Sequence, residues 1–119
     1  MQKYIIKYIM EISRTLNELY TIIEIDLHHW QLLADLANND YDIGYFGGKV
    51  TICGNLESYL RIENPDIKDV VIYLNDELEG IYEDIDKVPN NENYQGALEE
   101  VQFLLHYIYK EYTQDITAL

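Results

Sequence analysis

The chain has 119 residues, 48% of them hydrophobic, with two prolines and a formal net charge of −14. One domain of this size buries roughly two-thirds of its unfolded surface, so it needs neither a disulfide framework nor a structural metal, and its apolar content excludes a disordered chain. The negative field repels nucleic acid and anionic membrane and attracts basic partners.

Residues 1–119 read as a single domain, without internal repeat, linker or low-complexity segment. Cys53 is the lone cysteine, which points to a reducing compartment and a cytoplasmic protein. Lys7 and Glu11 interrupt the isoleucine-rich start, and no stretch approaches the ~18–20 apolar residues of a membrane span. The charge is uneven. Glu63 to Glu100 holds twelve acids against Lys68 and Lys87, whereas Met1 to Tyr20 holds three bases against two acids.

From Gln2 to Glu24, Ile5, Ile9, Ile12, Leu16, Leu19 and Ile23 alternate steps of four and three, the period of one helix face. Lys3, Lys7, Arg14 and Asn17 fall on its far side. Asp26 then occupies the next core position. Either the helix bends there, or Asp26 caps a second helix, Leu27 to Asn38; the slip in phase favours a break, with Asn38 and Asn39 as left-handed terminators.

Tyr41 to Gly54 holds four of the six glycines, and Gly47-Gly48 lies between the β-forming segments Ile43–Phe46 and Lys49–Cys53. This pattern predicts a two-residue β-hairpin near residues 43–53, packed on the helices. A short helix follows from Asn55 to Ile62. Pro65 to Lys87 is the clearest helix, capped by Asn64, with Ile67, Val71, Leu74, Leu78, Ile81 and Ile85 on one stripe. Opposite them stand Asp69, Asp76 and Glu83, spaced ~10.5 Å apart along the axis. After the loop Val88–Asn93, a last helix spans about Tyr94 to Asp115, with Leu98, Val101, Leu105, Ile108 and Tyr112 inward. Phe103 and Tyr107 fall on its far face, where the hairpin is expected to cover them. The fold expected is mainly α: an antiparallel bundle of three long and one or two shorter helices, with that small hairpin.

Catalytic patterns are missing. His28 and His29 are adjacent and point ~100° apart on a helix, His106 is remote, and neither a Glu-x-x-His nor a His-Glu-x-x-His pair occurs. Gly44 to Thr51 departs from a phosphate loop, with one residue too few before Gly48-Lys49 and Val50 intervening before Thr51. Asp76, Glu77, Glu79, Glu83, Asp84 and Asp86 could hold Mg²⁺ as in helical nucleotide pyrophosphohydrolases, but such sites need inward carboxylates and here the inward positions are aliphatic. Cys53 has no neighbouring histidine and reads as packing. No catalytic residue, metal ligand or cofactor is assigned.

Leu74–Lys87 and Leu98–Leu119 resemble a family of uncharacterised bacterial helical proteins, a domain of unknown function. Leu78, Ile81, Tyr82, Asp84 and Ile85, then Ala118 and Leu119, carry the resemblance. It covers under half the chain, the glycine-rich segment departs from it, and it implies a helical bundle and no activity.

The surface remains. Twelve tyrosines and an acid ladder suit a basic protein partner, with aromatics as anchors and charge steering the encounter. The partner-binding set is Asp69, Tyr73, Asp76, Glu79 and Glu83. The function expected is a non-enzymatic inhibitor of the immunity-protein or phage anti-defence type, a nucleic-acid mimic covering the basic surface of a nuclease or other nucleic-acid-acting protein. It would touch neither nucleic acid nor membrane directly. The alternative is a homodimeric helical scaffold or adaptor using the far face of the last helix, and behind it a Mg-dependent small hydrolase.

Overall fold

The computed structural model describes the backbone of residues 2–118 and the side chains of residues 16–112. Four helices follow one another: α1 (Gln2–Leu36), α2 (Asp40–Glu63), α3 (Ile67–Lys87) and α4 (Glu92–Ala118). The helical bundle matches the expectation from the heptad-like stripes. The hairpin does not: residues 43–53 lie inside α2, and no strand occurs among the described residues.

Close packing explains why a glycine-rich segment is helical. A Cβ on Gly48 would collide with the Asn93 carbonyl and stand 2.9 Å from the Ala97 backbone nitrogen. One on Gly96 would collide with the Tyr45 carbonyl. Glycine in a helix interior costs about 1 kcal/mol relative to alanine. Here it lets the backbones of α2 and α4 touch, and the contact offsets that cost. The contacts run in the same direction along both helices, from Gly44 beside Glu92, through Gly48 beside Asn93, to Lys49 beside Glu100. The closest pair in the bundle is therefore parallel, with α1 antiparallel against α2 and α3 antiparallel against α4. Parallel pairing puts two positive helix ends side by side, and Asp40, Asp42 and Glu92 occupy those first turns.

The first helix runs unbroken through Asp26, so the expected break and the separate helix from Leu27 are absent. Asn39 starts α2 instead of ending a helix: its backbone is extended and its side chain accepts the Asp42 N–H at 2.8 Å. The expected short helix at Asn55–Ile62 is the second half of α2. Asn64 likewise ends α2, in the left-handed region at φ 46°, and the cap of α3 is Asp66. Asp66 and Asp69 form a reciprocal capping box, each carboxylate accepting the other's backbone N–H at 2.8 and 3.3 Å. Asn91 caps α4 by accepting the Tyr94 N–H at 3.1 Å.

The core runs through all four helices. Leu19 and Ile23 come from α1, Ile52 and Leu56 from α2, Ile67, Val70, Leu74 and Ile81 from α3, and Val101, Leu104 and Ile108 from α4. Val71, Leu78 and Ile85 pack half-buried against it, so the α3 stripe stands as expected, widened by Val70. The expected core positions Ile5, Ile9 and Ile12 lie outside the residues whose side chains are described. Phe103, expected under the hairpin, is 48% exposed, because the segment meant to cover it is a helix facing elsewhere. Tyr107 is half-buried, its hydroxyl 3.4 Å from that of Tyr112, where α4 departs from helical geometry.

Candidate functional site

Two surfaces of different chemistry stand out. The first is the outer side of α3, where Asp69, Asp76, Glu79 and Glu83 are all exposed. Their spacing keeps them on one line, about opposite the buried stripe. No lysine or arginine pairs with them among the described residues. Ile72 is exposed within the same face. The five expected partner-binding residues are therefore not equivalent. Asp76, Glu79 and Glu83 are free of local work, whereas Asp69 holds the start of the helix through its capping box. Tyr73 is half-buried and stacked on Tyr59 of α2, with ring centroids 4.4 Å apart and planes 10° apart. Burial, then the nearby Glu77 carboxylate, raises its phenol pKa. Its ring ties α3 to α2 and reaches the acid line only at its edge.

The second surface was not assembled from the sequence. Asp26 of α1, Lys49 and Cys53 of α2 and Glu100 of α4 meet where α2 lies between the other two helices. Lys49 is buried, its ammonium 4.6 Å from the Trp30 ring centroid and 5.1 Å from that of Tyr45. Cation–π attraction to two rings offsets part of its desolvation. The same ammonium is 4.0 Å from Glu100 Oε2, an ion pair without a short hydrogen bond. Glu100 is 1% exposed, and its Oε1 has no hydrogen-bond partner. Burial, then the Asp26 carboxyl beside it, pushes Glu100 up to about 7, while Lys49 pulls the other way. Burial also drives the Cys53 thiol well above the ordinary range, with Glu100 adding to it. A cavity of about 260 Å³ opens beside these groups, lined by Asp26, Trp30, Lys49, Glu99, Glu100 and Phe103.

No family model, curated protein or solved structure matches this chain. The two surfaces must therefore be read from their own chemistry. No helix among the described residues is long and apolar enough to cross a membrane.

Sequence reasoning missed the inner cluster because its members lie on three helices and each looks local when alone. Asp26 resembles a helix break, Lys49 the first residue of a hairpin strand, Glu100 one acid among many. The usable signal was Asp26 itself, a charge at a core step of an otherwise regular stripe. Such a position needs a partner from elsewhere in the fold.

Proposed function

We propose that this protein is a non-enzymatic, acidic binding protein that covers the basic surface of a nuclease or another nucleic-acid-acting protein, in the manner of immunity or anti-defence inhibitors, in the cytoplasm. The observation that carries the reading is the line Asp76, Glu79 and Glu83, exposed and, among the described residues, in no ion pair with a lysine or arginine, on a helix whose other side is anchored in the core. Carboxylates on a rigid helix present charge at fixed spacing, as phosphates do along a nucleic-acid strand. Charge of this kind acts mainly on the rate of encounter and on its salt dependence.

The test uses the variant Asp76→Asn, Glu79→Gln, Glu83→Gln, which keeps the capping Asp69 in place. A basic partner is captured from cells at low salt, and its association is then measured with the native and altered proteins. The reading expects slower association, a flatter salt dependence and loss of inhibition of the partner's nucleic-acid activity. An unchanged rate and salt slope in a folded variant would leave the line as a solubility face and end the proposal.

The homodimeric reading gains one observation. Ile25, Leu32 and Leu36 are exposed along one side of α1, away from its core face. That stripe would be the dimer contact, in place of the far face of the last helix. Sedimentation over a range of concentrations with Leu32→Glu tests it, and a native protein that stays monomeric throughout would remove it.

A further inference from the structure

We propose that Asp26, Cys53 and Glu100 form a binding site for a divalent transition-metal ion of the zinc class. One ligand atom from each residue lies within 4.8 Å of the other two, although the three sit on three different helices. Two independent features point to a missing occupant. Glu100 is 1% exposed and its Oε1 has no partner, a costly arrangement for a buried carboxyl oxygen. The indole N–H of Trp30, on the wall of the adjoining cavity, is also buried without an acceptor.

The donor set selects the class of ion. A thiolate is a soft ligand favoured by zinc-like ions, while magnesium and calcium prefer an all-oxygen shell. Three protein donors leave a fourth position, and Asp26 and Glu100 both line the cavity, so that position would be reached from the cavity side. A water or small ligand bound there could accept from the Trp30 N–H. The charges balance as well. Three deprotonated donors carry three negative charges, which the Lys49 ammonium and one divalent cation together neutralise.

The test uses the full chain, stripped with a chelator and titrated with Co²⁺, then with Zn²⁺ in competition. One Co²⁺ per chain is expected, with the near-ultraviolet absorption of a cobalt–thiolate bond, displaced by Zn²⁺ but not by excess Mg²⁺. Cys53→Ala should abolish the thiolate band, and Asp26→Asn or Glu100→Gln should each weaken binding by about tenfold or more. Circular dichroism checks that each variant is folded. Should Cys53→Ala not fold, the two carboxylate variants decide the matter. The assignment is overturned by a native protein without a thiolate band, or by affinity that stays the same in Asp26→Asn and Glu100→Gln, which would mark adventitious binding to surface acids. No partner protein enters this experiment, so its failure leaves the proposal for the outer face of α3 standing.

Discussion

The second and third helices solve the same problem in opposite ways. The third has one apolar stripe, held against α4, and leaves its carboxylates in water. The second has no solvent side of comparable width. One of its faces is stripped to glycine so that α4 can approach, and another sets Phe46, Lys49 and Cys53 against α1. A helix at the edge of a bundle can be built from a simple division into apolar and polar. A helix between two others must satisfy a different neighbour on each side, and its residues make sense only beside those neighbours.

The comparison breaks most sharply at the glycines. Gly48→Ala should lower stability by about 3 kcal/mol or more, since the added carbon has backbone on every side and α2 and α4 would have to separate. Urea denaturation of the native and altered proteins measures it.

Next is the charge buried against α2. Burial and then the neighbouring Asp26 carboxyl push Glu100 up to about 7 in the folded protein, from 4.5 unperturbed. The folded state holds the proton more tightly. That contribution is fully present below the lower value and is lost as pH rises through the upper one. The loss should approach about 3 kcal/mol and vanish in Glu100→Gln. Denaturation curves at intervals between about pH 4 and 8 would show it as a slope in the native protein minus that of the variant.

Glycines with room around them should behave in the reverse sense. Gly54 in α2 and Gly80 in α3 have nothing within 4 Å of an added Cβ. Alanine at either position should raise stability by up to ~1 kcal/mol, visible as a higher melting temperature. Opposite signs at Gly48 and Gly54, within one helix, would isolate the contact with α4 as the cause.

The smallest effects belong to the outer line of α3. Asp76→Asn and Glu83→Gln should each change stability by less than ~0.5 kcal/mol, whereas Asp69→Ala should lose about 1 kcal/mol with its capping box. Thermal melts of the three single variants separate the capping acid from the free ones.

These contrasts also explain what could be read in advance. The stripe from Ile67 to Ile85 was legible because a single neighbour sets a single period, and the stripe of α4 from Val101 to Tyr112 was legible for the same reason. Gly47 and Gly48 were misread as a turn, and Gly44 as part of the strand before it, because glycine's local preference is for turns, while its use here depends on Asn93 and Gly96, some fifty positions further on. Asp26 was misread as a boundary because its reason for being inward is a carboxyl and a thiol on other helices. The exposed acids were found, but their division into free and capping residues required the backbone around Asp66.

The parallel contact between α2 and α4 also imposes an order in time. During synthesis α2 emerges well before the residues it packs on, and its first half, with Gly44, Gly47 and Gly48, has little propensity to stay helical unaided. The α3–α4 hairpin, built on regular stripes with a short connection between its helices, can form from local contacts. Only once Asn93, Gly96 and Ala97 are in place does the glycine face of α2 gain a surface to hold it. Settling of the glycine face of α2 therefore waits on the carboxy-terminal half, and a ribosome-bound chain ending within α3 would hold residues 40–54 through their contacts with α1 alone.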